Sequence, residues 1–416
     1  MASFLGTTGD DVAPTSVDND DFRGNDGNDQ LFGGAGDDYL QGDAGNDTLN
    51  GGTGDDYILT GRGNDVAYGE TGDDLIIASE AAAGDYIAIY GLSGDDHIIG
   101  GGIAGATITA FGGTGDDLFW ARESTEIFDG GSGIDTLDLS LVGATVGVTV
   151  NLLTGRGSGG IAQGDTYIAF EDVIGTSGDD ILIGSGIGNL LQGHNGDDRI
   201  RGGEGADVLD GGSGTDTIDY VDSRAGVAVN LALNEARGGS AEGDTFYNFE
   251  NVTAGAYNDI LVGDDGRNEL RGGDGNDTIN GGLGDDLLIG GDGNDRLIGA
   301  LGADHLFGGA GADVFAFLTV ADSTVALAGR DVIRDFSRAQ GDRIDLSTID
   351  ANGTLAGNGA FSFIGTAAFG GTAGQLRISA AGADLLVSGD VNGDRKADFV
   401  IRLENVASLA AGDFVL

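Results

Sequence analysis

The chain has 416 residues, of which 83 are glycine, one is proline and none is cysteine. Its 69 acidic side chains outnumber 19 basic ones, and a formal net charge of −50 argues against partners such as nucleic acid or anionic membranes. The absence of cysteine excludes disulfides and thiolate metal sites, and no apolar run is long enough to predict a membrane span.

Residues 1–23 form an N-terminal lead-in with neither a basic start nor an apolar run, so we expect no cleaved signal peptide. From Gly24 the chain reads in unbroken nonamers of the form G-G-x-G-x-D-x-U-x, where U is apolar, and this first block covers 24–77. The same phase returns in a second block at 175–219 and a third at 254–316. Self-similarity at a fixed short period is the signature of a stacked repeat architecture.

The nonamer GGDGNDTIN at 272–280 shows how each unit folds. Its glycine-rich first part predicts a tight turn, and Thr278, Ile279 and Asn280 predict a three-residue strand with one inward side chain. The next nonamer returns in the opposite direction, so two nonamers form one flattened coil of 18 residues. Successive coils then stack as parallel strands, and the apolar residue at position eight forms the core.

Stacking aligns the aspartates at position six, which recur 18 residues apart, as in Asp277 with Asp295, Asp286 with Asp304, and Asp295 with Asp313. Carboxylates this close repel one another unless a cation lies between them. Calcium binds six to eight oxygens from carboxylates and backbone carbonyls, and glycine turns leave carbonyls accessible. The sequence therefore predicts multiple Ca²⁺ ions as the cofactor.

The candidate metal ligands are the position-six aspartates of 19 nonamers, namely Asp29, Asp38, Asp47, Asp56, Asp65, Asp74, Asp96, Asp117, Asp135, Asp180, Asp198, Asp207, Asp216, Asp259, Asp277, Asp286, Asp295, Asp304 and Asp313. Carbonyl groups at position one are further candidates, namely those of Gly272, Gly281, Gly290 and Gly308. Position five also carries Asp or Asn, as in Asp37, Asn46, Asp55, Asn276, Asp285 and Asn294. We interpret these as turn-forming residues that face solvent, and not as primary ligands.

Between the blocks the pattern is less regular. Region 78–138 keeps isolated nonamers and is interpreted as an irregular continuation of the roll. Segments 139–174 and 220–253 repeat each other at an offset of 81 residues and are interpreted as β-excursions that pack on the roll, with substrate binding as the alternative. From 317 to 416 the nonamers stop and alternating apolar segments predict a β-rich cap, which covers the open end of the roll.

One loop in the cap is a separate calcium candidate. Asp390, Asn392, Asp394 and Asp398 occupy positions 1, 3, 5 and 9, as in loops of the EF-hand type. Such loops place glycine at position six, where this chain has Arg395. An ordinary surface turn is the alternative.

The nonamers resemble the RTX β-roll. The tail resembles the C-terminal domain of serralysin-type secreted metalloproteases, through DVIRDF at 331–336, GDRIDLS at 341–347, FSFIG at 361–365, AGQLR at 373–377 and DFVL at 413–416. These resemblances imply an all-β fold: a right-handed parallel β-roll that folds on extracellular calcium, with a C-terminal β-rich capping domain. They also imply that position-six aspartates and turn carbonyls bind the ions, which puts turns with Asn189 or Asn268 in doubt.

The resemblance further implies export through type I secretion machinery by an uncleaved C-terminal signal. Serralysins carry the zinc motif H-E-x-x-H, whereas this sequence has only His97, His194 and His305, none followed by glutamate. No zinc site is expected from them, and the metalloprotease domain is expected to be missing.

The sequence therefore predicts a secreted, extracellular, non-catalytic calcium-binding protein with a role at the cell surface or in the extracellular matrix. A cell-surface or matrix polysaccharide is a candidate partner. The alternative is a calcium-dependent extracellular enzyme, polysaccharide-acting or peptidase-related, with paired carboxylates within 78–253. No G-x-S-x-G motif predicts a lipase, and the long apolar segments of a pore-forming toxin are absent.

Overall fold

The computed structural model describes residues 3–141, 143–352 and 359–416. It divides into two compact units, unit 1 (Met1–Asp216) and unit 2 (Thr217–Leu416). Within the described residues, none of the helices is long or apolar enough to span a bilayer.

The described residues of unit 1 form 22 short strands. In chain order they are β1 Ser3–Leu5, β2 Asp21–Arg23, β3 Gln30–Ala35, β4 Tyr39–Gln41, β5 Thr48–Thr53, β6 Tyr57–Leu59, β7 Val66–Thr71, β8 Leu75–Ile77, β9 Tyr86–Ser93, β10 His97–Ile99, β11 Thr107–Thr114, β12 Leu118–Trp120, β13 Thr125–Ser132, β14 Thr136–Asp138, β15 Thr149–Asn151, β16 Arg156–Ser158, β17 Thr166–Ile168, β18 Asp172–Ile174, β19 Ile181–Ile183, β20 Leu190–Gln192, β21 Arg199–Arg201 and β22 Val208–Asp210. One 3₁₀ turn, Gly160–Ala162, lies in the first excursion.

Alternate strands of unit 1 stack in parallel into two sheets. One contains β2, β4, β6, β8, β10, β12 and β14, and the other contains β3, β5, β7, β9, β11 and β13. The register is one coil of 18 residues, since Leu31 pairs with Leu49 and Leu40 with Ile58. These side chains are fully buried between the sheets. The predicted parallel β-roll is therefore confirmed.

Two details differ from the nonamer-based expectation. Strands such as β3 and β5 continue into the following glycines, because the backbone of Gly34 pairs with that of Gly52. The strand predicted at 278–280 likewise extends over Thr278–Leu283. In the irregular segment, coils lengthen to 22 residues from Asp74 to Asp96 and to 21 residues from there to the next position-six aspartate.

In unit 2, the part of the chain that the structure describes contains 19 strands. They are β23 Thr217–Asp219, β24 Ala228–Asn230, β25 Glu235–Arg237, β26 Thr245–Tyr247, β27 Asn251–Thr253, β28 Ile260–Val262, β29 Glu269–Asp274, β30 Thr278–Leu283, β31 Leu287–Asp292, β32 Arg296–Leu301, β33 His305–Ala310, β34 Val314–Ala316, β35 Val332–Ile333, β36 Arg343–Asp345, β37 Ser362–Phe363, β38 Gln375–Ala381, β39 Asp384–Asp390, β40 Phe399–Leu403 and β41 Phe414–Val415. Its 3₁₀ turns are Leu231–Leu233, Gly239–Ala241, Leu327–Gly329 and Ala411–Asp413.

The C-terminal region closes the stack in unit 2. Parallel pairing passes from β33 to β35 and β40, and from β34 to β36 and the last strand, β41. Strands β38, β39 and β40 form an antiparallel sheet. This arrangement places paired β-structure over the end of the roll, as expected for a C-terminal β-rich cap.

The two excursions fold alike. In the first, β15 pairs antiparallel with β16 and parallel with β19; in the second, β24 pairs antiparallel with β25 and parallel with β28. Each excursion therefore leaves the nonamer pattern through a short antiparallel pair and returns to the parallel stack.

Candidate metal sites in the turns

Position-six side chains form rows, because each one binds the coil before it. The backbone N–H of Asp38 donates to Oδ1 of Asp56 at 2.7 Å, and the N–H of Asp56 donates to Oδ1 of Asp74 at 2.8 Å. We name two rows of unit 1, which come from alternate nonamers. Row A contains Asp38, Asp56, Asp74, Asp96, Asp117 and Asp135. Row B contains Asp29, Asp47, Asp65, Ile87, Ile108, Glu126 and Asp165.

The third block of unit 2 has the same arrangement. The N–H of Asp277 donates to Oδ1 of Asp295 at 2.8 Å, that of Asp286 to Oδ1 of Asp304 at 2.9 Å, and that of Asp295 to Oδ1 of Asp313 at 3.0 Å. The three alignments predicted from the sequence are therefore present. Asp259 also joins this stack through its N–H.

The second carboxylate oxygen of most row aspartates has no donor. Among the described residues, the buried Oδ2 atoms without a hydrogen-bond partner include those of Asp29, Asp38, Asp47, Asp56, Asp65, Asp74, Asp96, Asp117, Asp135, Asp198, Asp277, Asp286, Asp295, Asp304 and Asp313. A buried carboxylate oxygen without a donor is strongly disfavoured unless a cation binds it or a proton neutralises the carboxyl.

These oxygens border small spaces that only glycine leaves open. A β-carbon at Gly130 would lie 2.5 Å from Oδ2 of Asp135 and 2.5 Å from the carbonyl oxygen of Ala169. A β-carbon at Gly42 would likewise lie 2.6 Å from Oδ2 of Asp47. The glycine at position one thus keeps a carboxylate oxygen and a carbonyl oxygen from the next coil facing the same space.

The glycines predicted as ligands from the sequence serve this arrangement in two ways. They leave space because they have no side chain, and the carbonyl groups of three of them face the space beside a glycine of the preceding coil. A β-carbon at Gly272 would lie 2.7 Å from the carbonyl oxygen of Gly290, and one at Gly290 would lie 2.5 Å from that of Gly308. The carbonyl of Gly281 borders the space beside Gly263. Carbonyl groups of Gly281, Gly290 and Gly308 therefore face turn spaces of the preceding coil.

Burial changes the acidity of the row carboxyls. It raises the pKa of Asp47, Asp56 and Asp65 to about 7 and that of Asp96 to about 8, because desolvation disfavours the charged form. Neighbouring carboxylates add to this, and the N–H donated to Oδ1 opposes it. A cation beside Oδ2 would favour the ionised form, so the rows suit a ligand of positive charge.

The available donors are oxygens. No three His, Asp or Glu side chains of the described ranges converge on a common point that could hold a metal, so each turn offers its carboxylate together with backbone carbonyls. Hard cations such as Ca²⁺ prefer this set, whereas zinc prefers nitrogen and sulfur. The residues present fit calcium.

Comparison with known proteins agrees with this chemistry. The family profile "Peptidase M10 serralysin C terminal" matches residues 268–416. The profile "RTX calcium-binding nonapeptide repeat" matches residues 5–40, 15–49, 50–80, 88–102, 109–137 and 183–218. The chain is an RTX protein with a serralysin-type C-terminal domain. It is therefore a calcium-binding protein of the kind secreted by type I machinery.

Solved structures with similarity to this RTX protein include two subunits of the Azotobacter vinelandii mannuronan C5-epimerase. AlgE6R2 is 29% identical, with 38% of this chain and 91% of that chain covered and a TM-score of 0.28. AlgE6R3 is 27% identical, with 38% and 78% covered and a TM-score of 0.19. Extracellular lipase LipA from Serratia marcescens is 17% identical, with 71% and 45% covered and a TM-score of 0.16. No curated protein sequence matches.

Some predicted ligands of the RTX protein already have donors for both oxygens. Oδ2 of Asp180 accepts the N–H of Thr176 at 2.6 Å, and Oδ2 of Asp259 accepts that of Gly255 at 3.3 Å. Asp216 accepts the N–H of Asp198 at 2.8 Å, and Asp207 accepts the N–H of Asn189 at 2.8 Å. Asp216 and Asp207 therefore also lie in rows. We therefore expect weaker cation binding at Asp180 and Asp259 than elsewhere.

Asparagine at position six has hydrogen-bond partners within the protein for both its amide nitrogen and its oxygen. The side-chain amide of Asn189 donates to the carbonyl of Glu171 at 2.7 Å, and that of Asn268 donates to the carbonyl of Glu250 at 2.8 Å. Their oxygens accept backbone N–H groups of the same turn, from Ser185 and Asp264. These two turns are satisfied by the protein alone.

The residues at position five do more than face solvent. The side chain of Asp55 accepts the N–H of Asp73 at 3.0 Å, that of Asn276 accepts the N–H of Asn294 at 2.8 Å, and that of Asp285 accepts the N–H of Ala303 at 2.8 Å. The same bond is made by Asp37, Asn46 and Asn294. The side chain at position six accepts a hydrogen bond from the preceding coil, and the side chain at position five accepts one from the following coil. Both positions therefore link neighbouring coils.

The loop at 390–398 is closed by its own backbone. Asp390 accepts the N–H groups of Gly393 at 2.6 Å and Arg395 at 3.0 Å, and Asp398 accepts the N–H of Val391 at 2.7 Å and the side-chain amide of Asn392 at 2.8 Å. Asp394 accepts the N–H of Lys396. Arg395 adopts the left-handed φ of 71° that glycine provides in calcium loops of this type.

Several row members were missed in the sequence because their nonamers lack the paired glycines at positions one and two. In row B, the N–H of Glu126 donates to Oδ1 of Asp165 at 2.9 Å, and in continuation of row A the N–H of Asp135 donates to Glu171 at 3.0 Å. In unit 2, Asp331 and Asp342 accept the N–H groups of Asp304 and Asp313, each at 3.2 Å. These residues could have been found from the sequence in another way. Each is an acid that precedes an apolar core residue by two positions, at the spacing that the repeat predicts.

Proposed function

We propose that this RTX protein leaves the cell unfolded and folds outside on binding calcium, and that it acts without catalysis at the cell surface or in the extracellular matrix. One observation supports this most: rows of buried carboxylate oxygens that lack a donor among the described residues. A cation at each turn would supply the missing partner. Calcium, which is scarce in cytosol and abundant outside, would then couple folding to export by mass action.

The folding proposal is tested on the full chain by far-UV circular dichroism and limited proteolysis, with calcium or with excess EDTA. We expect a cooperative gain of β signal and protease resistance as calcium is titrated into the chelated protein. Magnesium is the matched control, because it keeps more of its water and is expected to fold the chain poorly. An unchanged β signal in EDTA would contradict the proposal.

Export is tested separately in the secreting cell. Strand β41 pairs with β36 inside the C-terminal domain, so removing the last ~50 residues deletes both this strand and the proposed signal. We expect the shortened chain to stay inside the cell. Normal export of that chain would overturn the secretion signal and leave the calcium proposal intact.

The non-catalytic part is supported by how the buried acids of the 78–253 region are used. Glu126 accepts the N–H of Arg122 at 3.0 Å and the hydroxyl of Ser124 at 2.8 Å, and Asp165 accepts the hydroxyl of Tyr167 at 2.9 Å. The Glu126 carboxyl is thus bonded within its own turn, and Asp165 also accepts the N–H of Glu126 from the neighbouring coil at 2.9 Å, so both acids have structural partners. Turnover of a polysaccharide or an ester by the calcium-loaded protein would contradict this part of the proposal.

A further inference from the structure

A cluster separate from the turns lies on the outward face of the sheet in unit 1 that contains β10, β12 and β14. Trp120 and Asp138 are paired in register on adjacent strands. The imidazole of His97 packs edge-on against the indole of Trp120, with ring centroids 4.7 Å apart and planes at 74°. The three side chains come from successive coils, which places them beside one another.

A cavity of about 180 Å³ adjoins this cluster, lined by Trp120, Asp138, Ser140 and Leu141. A water molecule takes up about 30 Å³ in the liquid, so the space corresponds to roughly six waters, or to one small ring. The side chains around it are aromatic, carboxylate, hydroxyl and aliphatic. This mixture is typical of sites that bind a compact polar molecule against a flat apolar wall.

Polar atoms at the cluster lack partners. The Nε1–H of Trp120 and Nε2 of His97 are buried and make no hydrogen bond within the described residues. Oδ1 of Asp138 accepts the N–H of Ser140 at 2.8 Å. A buried donor left without an acceptor is costly, so these atoms indicate a bound partner that the protein itself does not provide.

The chemistry of these atoms restricts the partner. The indole N–H can only donate and the Asp138 carboxylate can only accept, so the ligand must carry acceptors and donors close together. Hydroxyl groups do both. An alkylammonium ion would suit the carboxylate and the indole face but would leave the indole N–H unpaired.

Charge disfavours anionic ligands, because the Asp138 carboxylate itself lines the cavity. Residues 1–216 contain 39 acidic and 6 basic side chains, and calcium bound at the turns would neutralise only part of this negative charge. A neutral molecule does not meet this barrier. The indole ring also offers an apolar surface on which the C–H face of a sugar ring can pack.

We propose that Trp120 and Asp138, with His97 packed against the indole, form a binding site for one neutral sugar ring of a glycan. The indole N–H and the Asp138 carboxylate would bind hydroxyl groups at one edge of the ring, with Ser140 as a further partner. This inference rests on the proposed extracellular role, which it deepens by giving the protein a neutral-glycan partner and a place to bind it.

The test uses the fact that Trp120 is the only tryptophan of the chain, so intrinsic tryptophan fluorescence reports on this site alone. Glucose, galactose, mannose and their methyl glycosides are titrated into the calcium-loaded full chain. We expect a saturable change for at least one neutral sugar and none for glucuronate or choline. No change with any neutral sugar, or saturation by choline alone, would overturn the proposal.

Variants identify the contacts. Asp138→Asn removes the charged acceptor, and since hydrogen bonds to charged groups are among the stronger ones we expect affinity to fall about tenfold. His97→Phe keeps a ring against Trp120 and should weaken binding less. Asp129→Asn is the matched control, because Asp129 is also at position nine of a nonamer but lies on β13 in the other sheet. Equal loss in this control would overturn the site.

Circular dichroism of the same samples separates the two proposals. If the chain stays folded in EDTA and still binds the sugar, calcium-driven folding fails and the sugar site stands. If the chain folds with calcium but fluorescence never responds to a neutral sugar, the site fails and the folding proposal stands.

Discussion

Rows A and B belong to the same roll but differ where they cross the irregular segment 78–138. Row A keeps a buried aspartate in every coil, including Asp96 and Asp117, even though the coils there are longer. Row B replaces the acid with Ile87 and then Ile108, which pair with each other in register and are fully buried. In this segment row A therefore depends on compensation of its buried charges, whereas row B relies on apolar packing.

The difference shows what the glycine and acid pattern is for. Where the acid is present, glycine leaves space beside it, as Gly112 does for Asp117. Where isoleucine occupies the row, the turn residues need not leave a cation space, and the coil length can change. Glu126 is intermediate: its carboxyl fills the space beside Gly100 and is bonded to its own turn.

The largest expected effect comes from making row B resemble row A. Ile108→Asp places a carboxylate between Ile87 and Glu126 without the glycine turn that serves row A. We expect the free energy of unfolding in calcium to fall by about 3–5 kcal/mol, because the charge is buried and unpaired. Ile108→Val is the control and should cost about 1 kcal/mol by chemical denaturation. A stable Ile108→Asp protein with one additional bound calcium would contradict the comparison.

A smaller effect is expected from neutralising one carboxylate in row A. Asp56→Asn retains an oxygen for the N–H of Asp38 but removes the charge, so we expect about 2 kcal/mol less stability and a higher calcium midpoint. Asp55→Asn changes the neighbouring, exposed residue and keeps its acceptor for Asp73. Its stability and calcium midpoint should stay within experimental error, and equal shifts in both variants would show that only net charge matters.

The smallest effect is expected at Glu126. Burial raises the pKa of this carboxyl well above its usual range, so its contribution to stability is present at low pH and is lost as the pH rises through the folded-state value. Glu126→Gln keeps the shape and the Ser124 bond without titrating. We expect this variant to match the parent protein near pH 4 and to be no less stable at pH 8. Marked destabilisation at pH 8 would indicate that the charged carboxylate is required there.

Much of the site could be predicted because period and chemistry coincide. The 18-residue alignment of Asp277 with Asp295 follows from counting nonamers, and hydrogen bonds between successive coils reproduce it. The roles of Asp55 and Asn276 in linking coils were missed, because polar residues in glycine-rich turns were interpreted as turn-forming residues that face solvent. The rows through Asp331 and Asp342 were missed because their nonamers keep the acid and the apolar residue but lose the paired glycines at positions one and two.

The sequence alone determined the repeat, the inward residue of each strand and the oxygen-rich turns, because these are local properties that recur every nine residues. Tertiary stacking decided the rest. Which carboxylate oxygens lack a donor, where isoleucine takes the place of aspartate, and how His97, Trp120 and Asp138 meet all depend on residues from different coils. Coil length changes within 78–138, so only the folded register brings those residues together.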